Sequence, residues 1–321
     1  MEEQEQRILE RLRRDPHRAG CSDFLAGLMP LHRHEILNDL AFDRLRYKME
    51  LVRTLHEAGG RDWNQTFYRL YFRTLADRSN QAAYLTLAER APYRILQIER
   101  DHALAIESIL LGVSGLLMLY EHDDYVIRLL QEFKHYAAKY DLEPMDPARW
   151  QLASSRPANH PMLRLAQAAS FFAKDANLFD RLRNCSTPRE VQELFGVEAS
   201  PYWSAHYTPD AERELRPKRI GKSKSEMLGI NLVAVLQFAY GSSTGNEELV
   251  DRAFRLLTAI EPEDNRIIRA WREAGVPAPA NAFESQALLQ LRFAFCDPGR
   301  CAACPVGRRI VDRVAHETAG R

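Results

Sequence analysis

Apolar residues recur at helical spacing along almost the whole of this chain, and that periodicity constrains its fold more than any other feature. Leu37, Leu40, Ala41, Leu45, Met49 and Val52 share one helical face, and Asp62 offers an N-cap for the stretch WNQTFYRLYFRTLA. Alternating strand-like runs between hairpin turns are scarce. The spacing predicts helices over 33–59, 63–76, 101–120, 123–140, 161–173 and 188–195. The expected fold is therefore all-α, a compact multi-helix domain with a cysteine knuckle near its carboxy terminus.

A chain of 321 residues, 45% apolar and 27% charged, can bury a substantial core and has the composition of a globular protein. Pro144, Pro147, Pro157 and Pro161 interrupt its middle, because a residue before proline is pushed out of the helical region. The segment 141–160 is thus a candidate joint between two helical layers. It lacks a flexible-linker composition, so a single all-helical domain over 1–321 is expected.

The run ALAIESILLGVSGLLMLY (103–120) approaches the length of a membrane span but carries Glu107, and a buried helix is expected rather than a membrane partner. MLGINLVAVLQFAY is apolar on nearly every face and predicts a central helix, whose Asn231 and Gln237 then need internal hydrogen-bond partners. The amino-terminal MEEQEQRILERLRRD has no apolar core of signal-peptide length. A cytoplasmic address and reduced thiols follow as expectations.

Against that background FCDPGRCAACPVG (295–307) stands out, placing Cys296, Cys301 and Cys304 close together in a chain with five cysteines. Asn281 with Glu284 forms a capping-box-like start, and Ala287, Leu288, Leu291, Ala294 and Phe295 line one face of the helix that follows. That helix delivers Cys296 to an Asp-Pro-Gly turn, which returns the chain to Cys301 and Cys304. A Cys-x-x-Cys pair sets two soft thiolates on one ion and the turn brings a third, a donor set suited to zinc or to an iron–sulfur cluster.

Three ligands leave a tetrahedral site incomplete, and Cys185, Cys21, His316 and Asp297 are the candidates for a fourth. His316 follows Cys304 by twelve residues, about 18 Å along a continuous helix. Cys301 and Cys304 fall at the expected first turn of the last helix, where the dipole favours thiolate. Inert core thiols, a Cys301–Cys304 redox pair and a metal-free structural turn remain as alternatives.

Two resemblances bear on these residues. QALLQLRFAFCDPGRCAACPV is similar to the entry into the iron–sulfur loop of endonuclease III-type and adenine-specific DNA glycosylases. That family has a longer gap before its second cysteine and a fourth cysteine six positions past the third, where this chain has Ile310. No helix-hairpin-helix glycine motif with a catalytic aspartate is present, so the resemblance carries no glycosylase activity to this chain.

The second resemblance is carried by DWNQTFYRL, RPANHPMLRLAQAASFF, ELFGVEASPYWSAHYTPD, RPKRIGKSKSEMLGINLVAVLQFAYG and NAFESQALLQLRFAFCDPGRCAACPVG. Together they resemble the helical carboxy-terminal region of bacterial domain-of-unknown-function family 2851. The resemblance implies a helical fold and no established activity. It also implies that a β-rich region with nuclease-like acids and histidines precedes the present stretch in members of the family.

Forty-four Lys and Arg balance forty-four Asp and Glu, which excludes a strongly basic nucleic-acid binder on global charge and leaves only local patches. One such patch is RPKRIGKSK, with Arg216, Lys218, Arg219, Lys222 and Lys224 as candidate phosphate contacts. Trp203, His206 and Tyr207, just upstream, are candidates for stacking on bases. A solvated loop balanced by Asp210, Glu212 and Glu214 is the competing reading. Gly221-Lys222-Ser223 lacks the earlier glycine and the preceding strand of a nucleotide-binding loop.

RPANHP presents Arg156, Asn159 and His160 on a proline-stiffened loop, with helix capping as the simpler role. His32-x-His34-Glu35 spreads its groups over different helix faces. Three functions therefore stand open. The first is a nucleic-acid-associated helical module with a cysteine-ligated zinc or iron–sulfur site, catalysis belonging to a protein partner. The second is an enzyme with an open metal or redox cysteine site near Arg156 and His160. The third is a metal-free interaction scaffold.

Overall fold

The computed structural model describes residues 2–14, 19–153, 156–209 and 211–319. Among them the fold is all-α, with no strand and only two isolated bridges, Glu198 with Arg219 and His206 with Glu212. The chain divides into two compact units, residues 1–50 with 257–321 and residues 51–256.

The first unit opens with α1 (Glu2–Arg14), α2 (Ala19–Gly27) and α3 (Pro30–Ala58), and the unit boundary falls inside α3. The second unit holds α4 (Trp63–Leu75), α5 (Gln81–Arg90), α6 (Tyr93–Ile98), α7 (Ala103–Val113), α8 (Asp124–Tyr140) and α9 (Pro161–Lys174). It continues with α10 (Leu178–Asn184), α11 (Pro188–Phe195), α12 (Lys222–Leu228), α13 (Ala234–Thr244) and most of α14 (Glu247–Ala259). The first unit is completed by α15 (Arg266–Glu273), α16 (Ala282–Gln290) and α17 (Pro305–Ala319).

In the second unit α4 starts where its cap predicts, the Asp62 carboxylate accepting from the Asn64 N–H at 2.8 Å. Its buried face carries Phe67, Tyr68, Tyr71 and Phe72, which meet Phe171 and Phe172 of α9. Tyr71 stacks on Phe171 at 4.9 Å with 4° between the rings. The Tyr68 hydroxyl, buried with them, donates to the Ala91 carbonyl at 2.6 Å, as a phenol removed from water must.

Helix α7 is buried along almost its whole length and packs against α8 and α9. It is shorter than the expected 101–120 helix, ending at Val113. Gly115 takes φ 74° and a Cβ there would lie 2.0 Å from the Met145 carbonyl oxygen, so the chain turns at a point only glycine can occupy. Leu116–Leu119 then forms a 3-10 turn. Among the described residues no helix is long and apolar enough to cross a membrane.

Glu107, the one acid in that apolar run, accepts from the Trp203 indole at 2.6 Å and the Tyr125 hydroxyl at 2.9 Å. The expected joint at 141–160 lies inside this unit, where Trp150 is held by its indole N–H on the Ser114 carbonyl at 2.9 Å. Helices α12 and α13 are joined by a π-helical turn, Gly229–Val233. The Gln237 amide nitrogen donates to the Leu182, Arg183 and Cys185 carbonyls, closing the carboxy-terminal end of α10, and Asn231 donates to Met227 at 3.0 Å. Both amide nitrogens thus have internal acceptors, while the Gln237 Oε1 is buried without a partner among the described residues.

In the first unit α1 and α2 both pack on α17. Lys48 of α3 donates to the Gln286 carbonyl oxygen of α16 at 2.6 Å, and the Ala282 N–H donates to the Ile260 carbonyl at 2.9 Å. These links fix the start of α16, the helix that leads to the cysteine knuckle.

Candidate cysteine-lined metal centre

The Asn281 carboxamide oxygen accepts from the Glu284 N–H at 3.0 Å, and the Glu284 carboxylate reaches back to the Ala280 N–H at 2.8 Å. Helix α16 so anchored passes directly into a π-helical turn, Leu291–Cys296, which widens the last turn before the first knuckle cysteine. The chain then reverses. Gly299, at φ 67°, donates to the Cys296 carbonyl at 3.2 Å, and the Arg300 N–H donates to the Phe295 carbonyl at 2.8 Å.

Cys301 begins a 3-10 turn, Cys301–Ala303, and Cys304 stands immediately before α17. The Val306 and Gly307 N–H groups, free at that helix start, hydrogen-bond the Cys304 sulfur and draw its pKa down, while burial pushes it up and prevails. The dipole contribution expected from the sequence is present, but the apolar surroundings outweigh it.

Cys21 on α2 completes the arrangement. Cys21, Cys296, Cys301 and Cys304 line a single cavity of about 20 Å³ together with Leu12, Leu291, Phe295 and Gly307. The four thiols come from two separate stretches of the chain, and none is in a disulfide. Among the described residues no group of three or more His, Cys, Asp or Glu side chains is arranged to hold a metal ion, so the sulfurs share a cavity without forming a coordination sphere.

The other fourth-ligand candidates are placed elsewhere. Cys185 belongs to the second unit, where it is buried and its thiol pKa is pushed up to about 12 by burial. His316 lies exposed near the far end of α17, and the Asp297 carboxylate is paired with the Arg292 guanidinium at 2.5 Å. The Cys21 signal was weak in the sequence, since nothing local distinguishes AGCSDFLAG from an ordinary helix.

The basic loop is differently disposed. Lys218 is buried, donates to the Ser204 and Arg216 carbonyls at 2.9 and 3.0 Å, and lies over the Tyr207 ring. Arg219 pairs with Glu198, Lys222 with Glu226 at 3.6 Å, and the Lys224 ammonium donates to the Leu75 carbonyl at 2.7 Å. Arg216 is exposed. The five cations therefore do not form one solvent-facing row.

Trp203 is fully buried against Glu107, and His206 stacks on Tyr202 at 4.1 Å. Asn159 accepts from Arg164 at 2.6 Å, while His160 occupies the N-cap position of α9 without a side-chain cap bond. His34 turns to Glu284 and Glu35 to Arg309, so that motif diverges as its spacing implied. Asp210 lies outside the described residues.

Fold and cavity define an all-helical protein whose first unit brings the distant Cys21 to the three cysteines of the 296–304 segment. The sequence matches the family described as Protein of unknown function (DUF2851) over residues 1–266, and the chain belongs to that family. The match ends before the segment that carries Cys296, Cys301 and Cys304. No curated protein and no solved structure matches the chain.

Proposed function

We propose that the first unit is a metal-binding module in which Cys21, Cys296, Cys301 and Cys304 ligate zinc or an iron–sulfur cluster. The supporting observation is the convergence of these four thiols on one apolar cavity. Four thiolates are the usual complement of a closed structural site, and such a site ties α2, the end of α16 and the start of α17 together. The centre then acts as a clamp that holds the helices of the unit, with any chemistry supplied by a partner. A reducing, cytoplasmic setting keeps the four thiols available as ligands.

The test is iron and zinc content per chain after anaerobic purification, with Cys21→Ser, Cys301→Ser and Cys185→Ser beside it. Near-stoichiometric metal is expected in the parent and in Cys185→Ser, and its loss in the other two. Absence of both metals, or retention in Cys21→Ser, contradicts the reading.

A nucleic-acid partner is a second reading, and one observation moves it away from the 216–224 loop. Arg11, Arg13 and Arg14 are exposed in the last turn of α1, the Arg13 guanidinium packs over Gly299 of the knuckle, and Arg300 beside it is exposed. These cations lie together on the cysteine-bearing unit. Binding that weakens steeply with salt and falls when Arg13 and Arg300 are replaced by Ala supports this placement, and equal binding by that variant opposes it.

A further inference from the structure

The second unit contains one buried cation, Arg164, and one half-buried cation, Lys224, neither of which is in an ion pair among the described residues. Arg164 on α9 is nine-tenths buried, and its two Nη atoms are taken by Gln167 at 2.9 Å and Asn159 at 2.6 Å. Its Nε is buried with no partner. The Lys224 ammonium, at the start of α12, uses a single bond to the Leu75 carbonyl at the end of α4. Among the described residues neither cation has a carboxylate oxygen within ion-pair distance.

Two neighbouring positions on the same helices repeat the pattern of unpartnered buried polar atoms. Tyr71, one turn before Leu75 on α4, is completely buried, and its hydroxyl has no partner. His160, one turn before Arg164 on α9, is nine-tenths buried with an unpaired Nδ1. The titratable groups that feel one another here are Arg164, Lys224, Tyr71, Tyr84 and Asp77. Asp77, the acid among them, is partly exposed and already accepts from Ser79 and the Asn80 N–H at 2.9 Å.

A buried guanidinium without a counter-charge is expensive, a second cation that repels it adds to the cost, and a buried donor without an acceptor adds more. One ligand relieves all of it. A small oxyanion brings the missing negative charge and several acceptor oxygens, and charge-assisted bonds from a guanidinium and an ammonium are the strong class. Asn159 and Gln167 hold the guanidinium rigidly, with its Nε edge left over for a ligand.

We propose that Arg164, Lys224 and Tyr71, with His160 beside them, form a binding site for a phosphate-class oxyanion in the second unit. The site is independent of the cysteines, so the two proposals stand or fall separately.

Inorganic phosphate is the probe, titrated calorimetrically into the whole chain at constant ionic strength, with chloride as the control. Saturable binding and a melting temperature that rises with phosphate are expected. Lys224→Met should bind phosphate at least tenfold more weakly, yet melt no lower than the parent in chloride, because it removes one of two mutually repelling charges. Tyr71→Phe keeps the packed ring and should weaken binding several-fold. No phosphate heat, a melting shift matched by chloride, or full phosphate response in Lys224→Met overturns the proposal.

Discussion

Replacing Gly307 by Ala sets two effects of opposite sign against each other. Gly307 lies in the first turn of α17, where alanine is favoured over glycine by about 1 kcal/mol on helix propensity alone. Propensity therefore predicts a more stable protein. A Cβ at this position, however, would stand 2.3 Å from the Cys301 carbonyl oxygen and 3.2 Å from its carbon. The obstacle is backbone, which cannot rotate aside, and relief requires the knuckle to move off the helix by roughly 1 Å. Overpacking of this kind costs about 1–3 kcal/mol.

The steric term should win, giving a net loss of about 1–2 kcal/mol and a melting temperature several degrees lower. Gly27, the last residue of α2 in the same unit, is the control, because a Cβ there meets nothing within 4 Å. Gly27→Ala should be neutral or slightly stabilising. Thermal unfolding followed by circular dichroism reads both. If Gly307→Ala melts at or above the parent temperature, the close seating of the knuckle on α17 is wrong.

Three further outcomes follow from buried polar groups. Glu107→Leu strands the Trp203 indole, while the Tyr125 hydroxyl keeps Ser200 at 2.9 Å, and should cost roughly 1–3 kcal/mol by denaturant titration, whereas Glu107→Gln, which keeps an acceptor, should cost far less. Because burial raises the Glu107 pKa, the folded state keeps a proton above the pH at which the unfolded chain releases it. Its contribution to stability should decline as pH rises through that window, and the decline should vanish in Glu107→Gln. Lys48, buried beside Arg44 and Gln286, has its pKa pushed down to about 7 by burial. The unfolded chain then binds more protons between about 7 and 10, so stability should rise with pH across that range, by on the order of 4 kcal/mol, and Lys48→Met should flatten the rise.

The helices were legible because the apolar stripe and the caps are local. Asp62, Asp123 and Asn281 each accept the helix-start N–H groups that their positions imply. The break after α7 was not legible, because it depends on the Met145 carbonyl approaching Gly115 from thirty positions away. The same distinction runs through the candidate site. Cys296, Cys301 and Cys304 are brought together by one turn and could be read directly, whereas Cys21 joins them only through the packing of α2 on α17. The cations at 216–224 form a dense cluster in sequence, yet folding pairs or buries most of them individually. Charge density along a chain does not fix the face on which each charge emerges.

The most direct measurement of the central proposal is X-ray absorption at the iron and zinc edges of the anaerobically purified chain. A bound metal with a shell of four sulfurs at about 2.3 Å in the parent and in Cys185→Ser, lost together with its edge in Cys21→Ser, is the predicted result. A metal held by nitrogen and oxygen alone, or no edge at all, would contradict it.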